Sequence, residues 1–209
     1  MDRKGILLVV SGFSGAGKGT LMKELVGRYD NYALSISATT RSPREGEVDG
    51  REYFFRTKEE FEQMIADDAL IEHACYVGNY YGTPRAYVEE QLALGRDVIL
   101  EIEIQGALQI KKRFPDTLLL FVSTPDAETL KNRLIGRGTE SLDVVEKRLS
   151  RASEEAEGIE NYDYFIINDD LDTCVTQVHQ IIQGEHSRVS RNLELINTIK
   201  KDISKFQKG

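Results

Sequence analysis

Residues 5–20 read GILLVVSGFSGAGKGT, and this stretch decides the fold. A short apolar run, residues 6–10, is followed by closely spaced glycines, by Lys18, and by helical spacing over residues 19–29. Glycines let the backbone turn tightly and bring N–H groups close to an anion, and the N-terminus of a following helix adds further donors. The stretch therefore predicts a strand, a phosphate-binding loop and a helix in succession, with Lys18 as a mobile charge for the phosphates.

The loop differs at one position from the usual pattern, in which a serine or threonine directly follows the lysine. Here Gly19 follows Lys18, and the hydroxyl of Thr20 comes one residue later. That hydroxyl is usually a ligand of Mg²⁺, which a glycine cannot supply. Two alternatives stay open: Thr20 takes its place, or phosphates, water and carboxylates elsewhere hold the ion. The Gly-Lys-Gly-Thr ending is similar to that of adenylate-kinase-like nucleoside monophosphate kinases.

Apolar runs elsewhere repeat the alternation of strand and helix. Predicted buried strands are residues 32–37, 98–104, 118–122 and 165–167, and predicted helices are residues 106–113, 127–135 and 171–183. Strands that are each followed by a helix favour an α/β fold, with a parallel central sheet and helices on both faces.

Two segments interrupt this rhythm. Between about residues 37 and 90, alternation and tyrosines indicate a small mixed or antiparallel subdomain inserted in the core. It contains the aromatic stretch 51–56, a short helical stretch over 58–67 and a hairpin-like stretch over 70–81. Residues 134–157 are charged and rich in arginine, which is typical of exposed helix and loop.

The composition limits the class of protein. The chain has 209 residues, 40% of them apolar, and a formal net charge of −8, which suits one sizeable core with one or two insertions. The acidic total argues against a nucleic-acid partner. Cys75 and Cys174 lie far apart and suggest no disulfide framework, so a reducing cytoplasm is the expected location. The apolar run near the N-terminus is too short for a signal peptide or a membrane span, and no membrane association is expected.

The C-terminal segment, residues 186–209, differs from the rest in charge. Its six basic residues and two acidic ones give +4, so the remainder of the chain carries −12. Its apolar residues fall at helical spacing: Val189, Leu193, Ile196, Ile199, Ile203 and Phe206. This pattern predicts a helix that packs one stripe on the domain or on the partner subunit of a homo-oligomer. A helix on a membrane surface is the less favoured alternative.

Longer motifs identify the chain as resembling the guanylate kinases. The block Thr-Thr-Arg41-Ser-Pro-Arg44-Glu-Gly-Glu47 and the downstream Gly78-Asn-Tyr-Tyr-Gly-Thr83 carry most of the resemblance. Further matching motifs are residues 71–74, 99–106, 136–139, 147–149 and 167–170. The resemblance runs from residue 5 to about residue 183 and implies the reaction ATP + GMP ⇌ ADP + GDP, with Mg²⁺ as cofactor.

The same resemblance implies a three-part fold and a set of ATP-binding residues. Residues 1–36, 84–125 and 160–209 would form a P-loop core, residues 37–83 a GMP-binding subdomain, and residues 126–159 a helical lid. The predicted ATP-binding residues are Gly12, Phe13, Ser14, Gly15, Ala16, Gly17, Lys18, Gly19, Thr20 and Asn168, the last as an adenine contact. Lys18, Arg41, Arg137 and Arg148 are the predicted catalytic residues, and the last two would move onto the ATP phosphates when the lid closes.

The GMP site can also be argued from its chemistry. Two nearby guanidiniums, Arg41 and Arg44, can grip one phosphate bidentately, and a carboxylate such as Glu72 accepts from the N1–H and N2–H₂ donors of guanine but repels adenine. By resemblance, Tyr53 and Tyr81 complete the phosphate grip. Glu72 is the residue predicted to select the base, with Ser37 and Thr83 assisting by resemblance, and Glu103 is predicted to bind GMP.

Glu101 and Glu103 stand two residues apart at the end of a predicted strand, so their side chains share a face. Ligands bind at the carboxyl ends of strands in open α/β sheets. One of the pair would orient Mg²⁺ through water and the other would face GMP. The metal prediction is therefore Thr20 and Glu101, and the division of roles within the pair stays open.

Two other functions compete with a guanylate kinase. Some guanylate-kinase-like domains are non-catalytic binding modules, and such domains usually have an eroded glycine loop or lack lid arginines. Here Lys18, Arg137 and Arg148 are present. Another P-loop kinase, acting on a different nucleotide, is disfavoured by Glu72 and by the arginine block.

Overall fold

The structure, a computed structural model, describes residues 4–76, 78–136, 148–150, 152–153 and 155–207. Its strands are β1 Leu7–Gly12, β2 Tyr32–Leu34, β3 Ala38–Thr39, β4 Phe54–Phe55, β5 Leu70–Tyr76, β6 Asn79–Pro84, β7 Asp97–Glu101, β8 Leu118–Ser123 and β9 Tyr164–Ile167. Its helices are α1 Lys18–Arg28, α2 Lys58–Ala66, α3 Arg85–Ala93, α4 Ile104–Arg113, α5 Ala127–Ile135, α6 Leu171–His186 and α7 Leu193–Ser204.

A five-stranded parallel sheet, in the order β2-β7-β1-β8-β9, forms the centre of the molecule. Alternate residues of β1 point to opposite faces, and both faces are buried, which explains the continuous apolar run. Leu8 and Val10 pack with α1 and α6, whereas Leu7 and Val9 pack with α3 and α4. The predicted α/β fold with a parallel central sheet is confirmed.

A second, four-stranded sheet has the order β4-β3-β6-β5. β5 and β6 form the predicted antiparallel hairpin, β3 joins β6 antiparallel, and β4 joins β3 parallel. Helix α2 begins with a capping box between Thr57 and Glu60, and its buried Phe61 packs on Ala38 and Leu70. This small core holds the second sheet together.

Several local features differ from the sequence predictions. β7 ends at Glu101, because the chain turns at Glu103 to begin α4 at Ile104. The two-residue strand β3 and helix α3 were not predicted, since one is too short for alternation and the other buries only Val88 and Gln91. In α7 the apolar stripe does not pack on the domain: Leu193, Ile199 and Ile203 are exposed. Within the described part of the chain, none of the helices is both long and apolar enough to cross a membrane.

Candidate active site

The glycine loop leaves β1 at Gly12 and enters α1 at Lys18. Gly17, at the N-cap of α1, has φ = 88°, a left-handed conformation that favours glycine. A β-carbon there would also lie 2.7 Å from Nδ2 of Asn168. Among the described residues no side chain caps α1. The first N–H groups of this helix can therefore serve an anion.

A cavity of about 450 Å³ opens over this loop. It is lined by Ser14, Gly15, Gly17, Lys18, Gly19, Thr20 and Glu101. Nζ of Lys18 donates to the carbonyl oxygens of Gly12 at 2.6 Å and of Phe13 at 3.2 Å. The cavity thus combines backbone donors and one lysine, which suit the phosphates of a nucleoside triphosphate, with one carboxylate, which suits the cation bound to those phosphates.

Glu101 is the carboxylate that faces Lys18 in this cavity. The surrounding protein removes water from it and raises its pKa, an effect that the charge of Lys18 offsets and that of Glu103 reinforces. Oε2 of Glu101 would lie 3.9 Å from a β-carbon at Gly19, so this carboxylate borders the loop at the position where the usual hydroxyl is missing. Thr20 lines the same cavity.

These oxygen ligands fit a magnesium ion that keeps most of its waters. Mg²⁺ prefers oxygen ligands and is often held through one or two carboxylates and substrate phosphates. Within the described residues, no three His, Cys, Asp or Glu side chains form a metal-binding group. Glu101 and Thr20 are therefore suited to assist a nucleotide-bound cation rather than to bind one alone.

Of the two predicted lid arginines, only Arg148 lies in the described part of the chain, and Arg137 lies outside it. Nη1 of Arg148 donates to Oγ of Ser14 at 3.2 Å. A guanidinium from a distant part of the sequence therefore contacts the glycine loop. Leu149 and Ala152, which follow Arg148, pack with α5 residues Leu130 and Leu134.

Asn168 lies against the glycine loop. It is 5% exposed, and its Nδ2 donates to the carbonyl oxygen of Ala16 at 2.8 Å. The side chain also approaches Gly17 closely. This geometry makes Asn168 a support of the glycine loop, and it adds a role that the sequence motif did not suggest.

A second cluster of polar groups lies on the smaller sheet. The guanidinium carbon of Arg41 is 5.3 Å from the ring centroid of Tyr53, and the rings of Tyr53 and Tyr81 are 6.1 Å apart. The structure thus brings Arg41, Tyr53 and Tyr81 together, although they are far apart in sequence. Arg44 is exposed in the same loop.

Glu72 forms the buried end of this second cluster. It is 8% exposed, and its Oε1 accepts from Oγ1 of the fully buried Thr83 at 2.8 Å. Burial raises the pKa of Glu72, and the bonds from Thr83 partly offset that rise. A buried carboxylate with one oxygen engaged retains acceptor capacity for donors of a ligand base.

The remaining predicted residues lie around these two clusters. Ser37 directly precedes β3, and its carbonyl oxygen accepts from the backbone N–H of Phe54 at 2.9 Å. Glu103 is exposed at the N-cap of α4, two residues after Glu101. A β-carbon at Gly106, in the first turn of α4, would lie 3.6 Å from Oε2 of Glu72. The beginning of α4 therefore connects the two clusters.

Glu47 also belongs to the site, although the sequence motif assigned no role to it. Its carboxylate accepts from the Arg41 side chain and from the backbone N–H of Arg44. Its position three residues after Arg44, in the same motif, is the only sequence signal that points to it.

A parallel sheet with a glycine loop after its first strand, next to an inserted sheet beside which an arginine and two tyrosines cluster, is the arrangement of a P-loop phosphotransferase. Comparisons with known proteins narrow this class. The Guanylate kinase family model matches residues 4–185, and the chain belongs to the guanylate kinase family. The family membership predicted from the sequence motifs is confirmed.

Curated relatives and a solved structure agree with this assignment. The chain is 52% identical to the guanylate kinase of Bacillus anthracis over 191 residues, which are 91% of this chain and 93% of the relative. It is 47% identical to the guanylate kinase of Streptococcus agalactiae serotype III over 206 residues, 98% and 99% of the two chains. The crystal structure of guanylate kinase from Anaplasma phagocytophilum matches with a TM-score of 0.72 at 30% identity and covers 90% of this chain and 89% of its own.

Proposed function

We propose that this chain transfers the γ-phosphoryl group of ATP to the phosphate of GMP, with ADP and GDP as products. The observation that carries the assignment of the acceptor is the buried Glu72–Thr83 pair on the smaller sheet. The Arg41–Tyr53 contact lies in the loop between β3 and β4 of that sheet. A carboxylate at the base and a guanidinium at the phosphate together describe guanosine monophosphate. Family membership supports the same reaction.

The residues divide between donor and acceptor. Lys18 and the glycine loop bind the phosphates of ATP, while Lys18 and Arg148 stabilise the charge on the group in transfer. Arg137 would add a second lid charge. At the acceptor, Arg41 and Arg44 hold the phosphate of GMP. Glu72 selects the base.

Contacts to the rest of the acceptor are assigned to Ser37, Tyr53, Tyr81, Thr83 and Glu103. The acceptor oxygen is already anionic near neutral pH, so the chemistry requires no general base. Two of the histidines are engaged elsewhere: His179 contacts the hydroxyl of Tyr32, and His186 contacts Asp97, each within hydrogen-bond distance. This arrangement is suited to a phosphate acceptor rather than to an alcohol.

We propose Mg²⁺ as the cofactor, held mainly by the nucleotide. Glu101 would orient the ion through water. The hydroxyl of Thr20, two residues after Lys18, is the one that would replace the usual hydroxyl ligand missing at Gly19. When bound with ATP, the ion neutralises charge on the β- and γ-phosphates. The raised pKa of Glu101 means that a fall in pH protonates this carboxylate earlier than an ordinary glutamate.

The chain is proposed to divide into a core (residues 1–36, 84–125 and 160–209), a GMP-binding subdomain (37–83) and a lid (126–159). The two separate sheets support the first boundary, since β3 to β6 make up the smaller sheet. Helix α5 and Arg148 fall within the lid range. Donor and acceptor sites on different parts imply that the parts close on the substrates.

A nucleotide panel tests the reaction. With ATP and Mg²⁺ present, ADP formation should be fast with GMP and slow with AMP, CMP or UMP. Because a buried carboxylate disfavours the adenine edge, we expect GMP to be favoured over AMP by about 1,000-fold or more in kcat/KM. Comparable turnover of AMP would contradict the assignment of the acceptor.

We propose a cytoplasmic protein without nucleic-acid or membrane partners that forms a homo-oligomer through α7. The free Cys75 and Cys174 and the acidic charge of −8 support the location and the lack of nucleic acid. The family model ends at residue 185, before α7 begins, so α7 lies outside the region that the family model matches.

A second copy of the chain is the proposed occupant of the α7 stripe. Ile199 and Ile203 of the stripe are exposed by 47% and 55%, and so are Phe206, which follows α7, by 87% and the neighbouring Leu195 by 37%. Such a row of exposed apolar side chains favours burial in an interface. The segment that contains α7 carries +4 and the rest of the chain −12, so charge complementarity favours contact between copies.

Sedimentation velocity tests this interface. The wild type should sediment as an oligomer at micromolar concentration, and a variant with both Ile199→Asp and Ile203→Asp should sediment as a monomer. The matched control, Asn197→Asp with Ser204→Asp, adds the same charge at exposed polar positions and should remain oligomeric. A monomeric wild type, or binding of α7 to anionic vesicles instead, would contradict the proposal.

A further inference from the structure

Glu47 lies in the loop between β3 and β4, beside the arginines of the acceptor site. Both of its carboxylate oxygens accept from Nη2 of Arg41, each at 3.0 Å. Its Oε2 also accepts from the backbone N–H of Arg44 at 2.7 Å. One carboxylate thus joins the side chain of the first arginine to the backbone of the second.

The contact is closed locally and partly shielded from water. The backbone N–H of Glu47 donates to the carbonyl oxygen of Arg44 at 3.1 Å, so residues 44–47 form a turn that is held at both ends. The side chains of Arg41 and Glu47 are 16% and 17% exposed. Charge-assisted hydrogen bonds in such partly dry surroundings are stronger than those on an open surface.

The other contacts of Arg41 fix the plane of its guanidinium. Its Nη1 donates to the carbonyl oxygen of Ser42 at 2.8 Å, and the guanidinium carbon lies 5.3 Å and 5.9 Å from the ring centroids of Tyr53 and Phe55. Within that plane, Glu47 sets the direction of the N–H groups. A guanidinium has five N–H donors, so it can keep Glu47 and still donate to a phosphate.

We propose that Glu47 is a positioning residue of the acceptor site, which holds the Arg41 side chain and the Arg44 backbone in the geometry that a phosphate monoester requires. The proposal rests on the proposed function, since Arg41 and Arg44 bind the GMP phosphate there. A preoriented arginine loses less side-chain freedom when the phosphate binds. The alternative is that Glu47 only competes with the GMP phosphate for Arg41. In that case removal of the Glu47 charge would strengthen GMP binding instead of weakening it.

The substitution Glu47→Gln keeps the size of the side chain and removes its charge. We expect KM for GMP to rise about 10-fold, while kcat and KM for ATP stay unchanged, because only the phosphate grip loses its alignment. Glu47→Asp keeps the charge on a shorter side chain, and its KM for GMP should lie between those of the wild type and Glu47→Gln. Guanosine, which lacks the phosphate, should bind to Glu47→Gln and to the wild type with equal affinity in calorimetric titrations.

Glu52→Gln is the matched control. Glu52 lies in the same loop and also accepts from an arginine and a backbone N–H, namely Nε of Arg51 at 2.6 Å and the N–H of Val48 at 2.8 Å. In the described part of the chain, Arg41 and Arg44 do not bond to it. Its substitution should therefore leave KM for GMP unchanged.

Three outcomes contradict the proposal. They are an unchanged or lower KM for GMP in Glu47→Gln, an equal loss in Glu52→Gln, and a weakening of guanosine as large as that of GMP. The third would indicate that Glu47 supports the whole subdomain. If Glu47→Gln does not fold, Glu47→Asp provides the same comparison. A wild type that does not phosphorylate GMP would instead remove the proposed function, which separates the two failures.

Discussion

Lys18→Ala is expected to lower the turnover of GMP by about 100- to 1,000-fold, the loss typical of removing one group that stabilises transition-state charge. The lysine is the cation of the glycine-loop cavity, and its Nζ lies among the loop carbonyls of Gly12 and Phe13. It contributes mainly while charge moves between ATP and the acceptor. Steady-state kinetics with ATP, GMP and Mg²⁺ measure the change.

Binding of GMP separates this role from a loss of structure. Glu72 lies on the other sheet and Arg41 in the loop that follows strand β3 of that sheet, so Lys18→Ala should keep GMP affinity in calorimetric titration. Lys23→Ala is the matched control, since Lys23 is exposed on the same helix and does not line the cavity. Full turnover in Lys18→Ala would show that the loop is not catalytic. A comparable loss in Lys23→Ala would show that the effect comes from α1 itself.

The sequence predicted the central sheet well because its signals are local. The apolar run that became β1 is continuous, since α1 and α6 cover one face and α3 and α4 the other. Elements without such a local signal were missed. β3 has only two residues and exists through its pairing with β4 and β6, whose residues are distant in sequence.

In the candidate site, too, the sequence predicted what local motifs encode and missed contacts between distant residues. Motifs predicted Arg41, Tyr53, Tyr81 and Glu72, and the structure brings Arg41 to the tyrosines and Glu72 to Thr83. A motif gives residue types and not contacts, however. Asn168 supports Ala16 from a position 152 residues away, and no periodicity indicates such a pair.

Glu72→Gln should reduce kcat/KM for GMP by about 1,000-fold and change KM for ATP little. The carboxylate accepts from guanine donors, whereas the glutamine amide presents a donor of its own to one of them. Kinetics in which GMP and ATP are varied separately measure this difference. Glu90→Gln, at an exposed position on α3, is the control and should behave as the wild type. An equal loss for both substrates would place Glu72 outside the base pocket.

The pH dependence and the stability of Glu72→Gln distinguish this role from misfolding. Burial raises the pKa of Glu72 in the folded chain, so GMP binding should weaken as the pH falls through that raised value, and Glu72→Gln should lack this dependence. A carboxyl group whose pKa is higher in the folded chain than in the unfolded chain stabilises the fold fully at pH values below the unfolded-state pKa. This contribution to the free energy of unfolding is lost as the pH rises through the folded-state pKa. At neutral pH the buried charge therefore opposes folding, and Glu72→Gln should unfold at a higher temperature than the wild type while selecting guanine poorly. A lower unfolding temperature at neutral pH, measured by calorimetry, would mean that the Glu72 carboxylate stabilises the fold instead.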